Sequence, residues 1–237
     1  MHRITVCFSS SQFFFYPYSG KNAVAIDIFR ASTSICTAFM NGVKEVIPTS
    51  TDEELKKYIG KYIIAAEQDG IKLEFADIGN SPKYFTRELV EGKTVAYSTT
   101  NGTHTIRLAA QCHSAVVGSY INISALCRWL EAGEKDVFLL CSGRKGCFNL
   151  EDALFAGAVA QKLIDSGKFD TACDSTLAAM DLWSLAKNDL PDYIKKAAQN
   201  ERLRKIHSDD IIPYCLTYDL TDMVPIYKNN RLVPMKY

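Results

Sequence analysis

Polar and charged side chains that could do chemistry follow directly after short apolar runs in this sequence. The segment DIFRAST, residues 27–33, comes after the run AVAI and brings an acid, a base and two hydroxyls together. Open α/β sheets bind ligands at strand ends of this kind. A carboxylate buried at such a strand end is costly unless it is neutralised. We therefore expect Asp27 to hold a cation, to pair with Arg30, or to do both.

A second polar segment, STTNGT at residues 98–103, also follows an apolar run and precedes a helix-like stretch. The hydroxyls of Thr99 and Thr100, the amide of Asn101 and the N–H groups of a helix start are donors that suit a phosphate. Asn-Gly is also the commonest tight turn of a β-hairpin, so Asn101 and Gly102 have a purely structural interpretation as well. The helix-like stretch that follows favours phosphate binding.

Acidic residues at two further strand ends are candidate metal ligands. Glu67 follows the run IIAA, and Glu151 and Asp152 follow the basic loop CSGRKG at residues 141–146. Mg²⁺ is held in proteins by a few carboxylates and leaves positions for phosphate oxygens and water. The alternative for Glu67 is a surface acid. The alternative for the other segment is a solvated loop and a helix start, with Asn149 as the cap and two acids in the first turn.

A turn-forming segment, DIGNSP at residues 77–82, adds two polar candidates, Asn80 and Ser81. Clusters of this composition also form ordinary surface loops. Composition alone leaves both interpretations open.

Apolar or β-branched runs alternate with helical patterns and would position these segments. The predicted strands cover residues 23–28, 45–48, 63–66, 94–98, 115–118 and 137–141. The predicted helices cover residues 34–40, 52–59, 105–111, 123–132, 150–166 and 175–186. Nearly unbroken runs such as AVAIDI suit strands that are covered on both faces. Near the C-terminus, the pair Asn229-Asn230 predicts a hairpin turn.

These patterns predict an α/β fold with three layers, α/β/α, around a mixed and largely buried sheet. We expect one domain over residues 1–237, and two lobes around a cleft remain an alternative arrangement. Lys plus Arg and Asp plus Glu both number 27, so no net charge draws the protein to nucleic acid or to an anionic membrane. Any anion must be bound at a local site.

The eight cysteines are scattered without a C-x-x-C pair and are interpreted as buried thiols of a reducing compartment. The chain has no signal-peptide pattern and no apolar run of about 18 residues. We therefore expect a cytoplasmic protein. Cys141 ends a predicted strand, and we expect a buried thiol there rather than a nucleophile.

Taken in order, the segments DIFRASTS, EQDG, DIGNSP, STTNGT, CSGRKG and LEDALFAGA resemble the successive signature segments of the 2-phosphosulfolactate phosphatase family. The similarity covers about residues 24–159 and is weaker over residues 209–225. The resemblance implies an α/β/α architecture, dependence on Mg²⁺, and hydrolysis of 2-phosphosulfolactate to sulfolactate and phosphate in coenzyme M biosynthesis. The implied partner is a small phospho-acid substrate. A homo-oligomer is possible, and the oligomeric state stays open.

Carried over residue by residue, the resemblance implies a catalytic, substrate-binding and metal-binding set. Its members are Asp27, Arg30, Glu67, Asn80, Ser81, Thr99, Thr100, Asn101, Gly102 and Glu151. The chain departs from the family at residues 66–70, where AEQDG stands in place of the usual GERGG and replaces a cation with a neutral amide. If that arginine holds the sulfonate or carboxylate of the substrate, we expect a different preferred phosphoester or a loss of activity.

The mechanistic hypothesis is that Mg²⁺, held by some of Asp27, Glu67 and Glu151, bridges phosphate oxygens, while Arg30 and residues 99–102 stabilise the transferring phosphoryl group. Asp27 remains open as a nucleophile. Two rival functions are a sensor that binds a phosphorylated or sulfonated metabolite without turnover, and a phosphotransferase or isomerase of a related phospho-acid.

Overall fold

The computed structural model describes residues 1–237, and every strand belongs to one mixed sheet. The strands are β1 (His2–Cys7), β2 (Asn22–Ile26), β3 (Glu45–Pro48), β4 (Ile63–Gln68), β5 (Ile71–Lys72), β6 (Thr94–Ser98), β7 (Ser114–Gly118), β8 (Val137–Cys141), β9 (Phe169–Asp170), β10 (Met223–Lys228) and β11 (Arg231–Lys236). Their spatial order is β5-β4-β6-β3-β11-β10-β7-β2-β8-β1-β9.

The sheet consists of two parallel groups joined by an antiparallel hairpin. Strands β4, β6 and β3 run parallel to one another, as do β7, β2, β8, β1 and β9. The hairpin β10–β11 lies between the groups and forms a single residue pair with each, Ile226 with Val116 and Leu232 with Val46. Because the pairing is antiparallel within the hairpin and on both of its sides, the two parallel groups run in opposite directions.

Helices cover both faces of the sheet. The α-helices are α1 (Ala31–Met40), α2 (Asp52–Lys56), α3 (Arg87–Val90), α4 (Gly102–Ala109), α5 (Ile123–Ala132), α6 (Leu150–Asp165), α7 (Asp174–Ala186), α8 (Leu190–Tyr193), α9 (Ala198–Lys205) and α10 (Ile212–Cys215). Short 3₁₀ helices cover Ser10–Phe15, Pro82–Tyr84, Tyr120–Asn122, Ile194–Lys196 and Asp209–Ile211. None of the helices combines the length and the apolar character that crossing a membrane requires.

The side chains of β2 show how the three layers form. Val24 and Ile26 pack into the core cluster that contains residues of α5, α6 and α7, whereas Ala23 and Ala25 pack into the cluster that contains residues of α1 and α4. Alternate residues of a strand point to opposite faces, so β2 is buried on both sides. The predicted α/β/α architecture with a mixed, buried sheet is confirmed.

Most predicted elements are present within a few residues of their expected bounds. The Asn229-Asn230 turn is confirmed, with φ of 51° and 63° at its two residues. Strand β1 was missed, although it pairs with β8 and β9 inside the sheet. Also missed was α9, in the polar stretch after α7. The expected cap of α6 is wrong in detail, because Asn149 occupies the N-cap position but its side chain makes no capping hydrogen bond.

Helix α4 brings the two parallel groups together at one place. It contacts β2, β7 and β8 of one group and β3 and β6 of the other. Four strands separate β2 from β6 in the sheet order, yet the start of α4 after β6 lies against Asp27 after β2. The segments that follow β2 and β6 therefore meet at the start of α4, although four strands lie between β2 and β6 in the sheet.

Candidate active site

A cavity of about 230 Å³ lies where these strand ends meet, and its wall is mainly polar. Only three of its 17 lining residues are hydrophobic. Six of the predicted site residues line it: Asp27, Arg30, Glu67, Asn80, Thr100 and Asn101. The other four, Ser81, Thr99, Gly102 and Glu151, are buried and lie outside the lining.

Asp27 is the acid at the end of β2. Its Oδ1 accepts a hydrogen bond from the N–H of Ala31 at 3.3 Å, and its Oδ2 accepts one from Ser142 Oγ at 3.4 Å. Burial and then the negative charge of Glu67 raise the pKa of Asp27 to about 6. The carboxylate is therefore basic enough to take a proton near neutral pH.

Arg30 lies deep in the same wall without a carboxylate partner. It is 5% exposed, and its Nη2 donates to the carbonyl oxygen of Gly70 at 3.1 Å. The direct ion pair with Asp27 that the sequence allowed is not formed. A buried guanidinium that retains free N–H groups beside a polar cavity is well suited to bind an oxyanion.

Glu67 connects two loops of the site and is not a surface acid. Its Oε1 accepts hydrogen bonds from the N–H of Thr100 at 2.8 Å and from Thr100 Oγ1 at 3.1 Å. Its Oε2 accepts one from the N–H of Gly70. The turn after β4 and the loop after β6 are thereby fixed relative to each other. Gln68, at the point of departure from the family, is exposed and lies outside the cavity lining.

The STTNGT segment forms a helix start, as the phosphate-binding interpretation requires. Thr99 and Thr103 exchange hydrogen bonds between hydroxyl and backbone N–H groups, and α4 begins at Gly102 without a side-chain cap from Asn101. A methyl group added at Gly102 would lie 2.8 Å from Asp27 Oδ2, so a glycine is needed there. The first turn of α4 therefore lies beside Asp27, and N–H groups of a helix start that lack intrahelical partners suit an anion.

The DIGNSP segment contributes one side chain to the cavity. Asn80 Oδ1 accepts a hydrogen bond from the hydroxyl of Tyr97, which fixes the amide at the cavity wall. Ser81 is buried behind the wall, and its hydroxyl has no hydrogen-bond partner.

Two acids at the start of α6 are almost completely buried. Glu151 is 2% exposed, its Oε1 has no hydrogen-bond partner, and burial raises its pKa to about 7. Asp152 accepts hydrogen bonds from the N–H groups of Ile28 at 2.9 Å and Gly143 at 3.2 Å. Burial raises the pKa of Asp152 well above its ordinary value. Asp152 therefore ties the loop after β2 to the loop after β8, and a helix-start preference alone does not explain either acid.

Three further cations line the cavity. Arg144 belongs to the basic loop CSGRKG that the sequence singled out, and it pairs with Asp69 at 3.0 Å. Arg202 and Lys205 are on α9, and sequence reasoning missed them. The basic run ERLRK, residues 201–205, was the available signal, but only the packing of α9 over the cavity gives it meaning.

The cysteines have no part in the cavity lining. Cys141 is fully buried, and burial raises the pKa of its thiol well above the ordinary value, as expected for an unreactive thiol. The expectation that all eight are buried is wrong for Cys147, which is exposed. No group of three or more His, Cys, Asp or Glu side chains is gathered closely enough to hold a metal ion.

Comparison with known proteins gives a consistent result. The family model described as 2-phosphosulpholactate phosphatase matches residues 15–230. A protein of Caldanaerobacter subterraneus subsp. tengcongensis named "Probable 2-phosphosulfolactate phosphatase" is 37% identical over 214 residues, which are 88% of each chain. Proteins with the same name from Thermotoga petrophila and Clostridium beijerinckii are 35% and 32% identical, over 92% and 90% of this chain and 93% and 91% of their own.

Proposed function

The chain belongs to the 2-phosphosulpholactate phosphatase family, and on that premise we propose that it hydrolyses 2-phosphosulfolactate, or a closely related small phospho-acid, to the hydroxy acid and inorganic phosphate. The family assignment makes the chain a phosphoric monoester hydrolase. The observation that carries the proposal is the convergence of Asp27, Arg30 and the start of α4 on one polar cavity. A cytoplasmic location and a role in coenzyme M biosynthesis are part of the same proposal.

The phosphoryl group is proposed to bind between Arg30 and the start of α4. Phosphoryl transfer depends mainly on positioning and on stabilising the charge of the transferring group. Arg30 supplies guanidinium N–H groups, and the uncapped helix supplies backbone N–H groups at Asn101 and Gly102. Thr100 is held by Glu67, so this loop is fixed before the substrate arrives.

Asp27 is proposed to receive the proton of the attacking water. Its raised pKa allows proton transfer near neutral pH, and its carboxylate faces the cavity beside the start of α4. Direct attack by Asp27 on phosphorus is the alternative route, and it would leave an aspartyl phosphate that water must then hydrolyse.

Mg²⁺ is proposed as the cofactor, with Glu151 as a carboxylate ligand, and with Asp27 as a second ligand in the route where a coordinated water gives up its proton without Asp27 as the base. Mg²⁺ characteristically uses one or two carboxylates together with phosphate oxygens and water, so a three-ligand group is not required. The Oε1 of Glu151 has no hydrogen-bond partner, and burial raises the pKa values of Glu151 and Asp27, so a cation would compensate both carboxylates. When bound, the ion would neutralise phosphate charge and lower the pKa of a coordinated water. Glu67, whose two oxygens accept hydrogen bonds from Thr100 and Gly70, is proposed to order the loops.

The test is phosphate release from 2-phosphosulfolactate and a panel of phospho-acids, with Mg²⁺ or with EDTA. Selective, EDTA-sensitive release from 2-phosphosulfolactate supports the proposal in full. Release from another phospho-acid retains the chemistry and replaces the substrate. A folded, Mg²⁺-loaded protein that binds these compounds without releasing phosphate would overturn the proposal in favour of a sensor, and transfer of phosphate to an acceptor other than water would favour a phosphotransferase.

A further inference from the structure

Four cationic side chains line the cavity, and two of them are neutralised by neighbouring acids. Arg144 pairs with Asp69 at 3.0 Å, and Lys205 pairs with Glu201 at 2.8 Å. The neighbouring carboxylate partly neutralises the cation in each pair, so Arg144 and Lys205 are weaker candidates for anion binding.

The other two cations, Arg30 and Arg202, have no acid within ion-pair distance. Arg30 makes its hydrogen bond to a carbonyl oxygen, and Arg202 donates through Nε to Gln199 Oε1 at 2.7 Å. This bond leaves both terminal nitrogens of Arg202 without a partner. The guanidinium groups come from distant segments of the chain, yet both line the same cavity.

A chain of hydrogen bonds sets the position of Arg202 relative to Arg30. Gln199 accepts the bond from Arg202 and donates through its Nε2 to the carbonyl oxygen of Phe29 at 3.2 Å. Phe29 directly precedes Arg30 in the chain. Helix α9 is also anchored by Leu203, which is 1% exposed. The two hydrogen bonds of Gln199 therefore link Arg202 to the segment that carries Arg30.

The surroundings of Arg202 favour the binding of an anion. Partial burial and the positive charge of Arg144 lower the pKa of Arg202, although Glu151 and Glu201 act in the opposite direction. An oxyanion in the cavity beside Arg202 would accept hydrogen bonds from its two terminal nitrogens, because the planar guanidinium matches carboxylate, sulfonate and phosphate oxygens.

We propose that Arg202 forms a second anion subsite, which binds a carboxylate or sulfonate of the substrate that is not transferred, while Arg30 binds the phosphoryl group. This inference rests on the proposed function and names the residue that selects phospho-acids over phosphomonoesters without a second acid group.

The kinetic test replaces the guanidinium and compares two substrates. In Arg202→Gln, the ratio of kcat/KM for 2-phosphosulfolactate to kcat/KM for glycerol 2-phosphate, which has no second acid, falls roughly 10- to 100-fold, mainly through KM. Arg202→Lys recovers part of the ratio. Arg204→Gln is the matched control, because Arg204 is on the same helix, is exposed and lies outside the cavity. An unchanged ratio in Arg202→Gln overturns the inference and leaves the proposed function intact.

A binding test separates this inference from the proposed function. Titration calorimetry with sulfolactate, which has no phosphoryl group, measures the second subsite without turnover. Arg202-dependent sulfolactate binding by a wild-type protein that hydrolyses nothing supports the subsite and rejects the phosphatase. Equal sulfolactate affinity of wild type and Arg202→Gln, or no binding by either, overturns the subsite whatever the activity.

Discussion

The inner part of the cavity and its rim are held in different ways. We define the inner part as Asp27, Arg30 and Glu67 together with Asp152, which lies behind the lining, and the rim as Asp69 and Arg144 together with Lys145, which pairs with Asp69. The inner carboxylates accept hydrogen bonds from backbone N–H groups, as Asp152 does from Ile28 and Gly143. At the rim, Asp69 is 44% exposed and pairs with the side chains of Arg144 and Lys145.

This difference indicates that the inner part and the rim contribute differently to stability and function. Backbone donors in a desolvated setting fix the inner carboxylates, since moving them would leave several buried groups unsatisfied. Exposed ion pairs are screened by solvent and contribute little to stability, so the rim can rearrange at small cost. We therefore expect changes in the inner part to alter chemistry and folding, and changes at the rim to alter selectivity.

The largest expected effect comes from removing the inner acid. Asp27→Asn retains the size of the side chain but loses its charge and basicity, and we expect phosphate release to fall by at least about 10³-fold. Circular dichroism should show an intact fold. The control is Cys141→Ala, which removes a buried thiol beside the site and should retain most activity. If Asp27→Asn hydrolysed the substrate normally, the inner part would have no special chemical role.

The next effect tests how closely the inner part is packed. Gly102→Ala would place a methyl group 2.8 Å from Asp27 Oδ2 and in contact with Ala31, and we expect destabilisation of about 1–3 kcal/mol with a loss of activity. The measurement is urea unfolding together with phosphate release. Gly79→Ala is the matched control, because the nearest atom to its added methyl group is at 3.4 Å. Equal stability of the two variants would contradict the close approach.

A third effect concerns the pH dependence of stability. Burial raises the pKa of Glu151 from an ordinary 4.5 to about 7, so its contribution to stability is complete below pH 4.5 and is lost as pH rises through 7. The side chain of Glu151→Gln cannot ionise. At pH 8 and without divalent metal, we therefore expect its free energy of unfolding, measured with urea, to exceed that of wild type by on the order of 1–3 kcal/mol. The difference should shrink at pH 5.

Added Mg²⁺ should stabilise wild type at pH 8 and should stabilise Glu151→Gln much less, because the ion binds the native carboxylate. Glu88→Gln, at an exposed position, is the control for loss of a carboxylate. Equal stabilisation of both proteins by Mg²⁺ would remove Glu151 from the proposed ligand set.

The smallest effect is expected at the rim. Asp69→Asn releases Arg144 and Lys145 from their acid, and we expect KM for 2-phosphosulfolactate to fall by about two- to fivefold, with a change in stability within about 0.5 kcal/mol. Raised salt should diminish the gain in affinity, since the interaction is exposed. Asp222→Asn, which removes an exposed ion pair with Arg128, is the control. A large loss of stability in Asp69→Asn would show that rim and inner part are not distinct.

The sequence allowed members of the inner part to be recognised one by one, because Asp27 and Glu67 each follow an apolar run. Glu67 and Thr100 follow β4 and β6, which are parallel and present their carboxyl ends on one edge. Asp27 follows β2, which runs in the opposite direction, so the sequence could not show that Asp27 meets the other two.

The rim was only partly predictable. The charge and glycine content of the loop CSGRKG marked its cations as candidates, but the sequence did not show that Asp69 pairs with them. Helix α9 was missed, since only two of its residues, Asn200 and Leu203, are buried and its sequence is mostly polar.

Short patterns in the sequence are enough to predict the local structure: apolar runs that form strands, a glycine at the start of α4, and a helix after Asn101. Which of these segments meet depends on the tertiary structure. Strands β2 and β6 are separated by four others, and the segments that follow them meet where α4 packs against both parallel groups. Local patterns encode the conformation of each segment, whereas contact between the segments results from the packing of residues that are far apart in the chain.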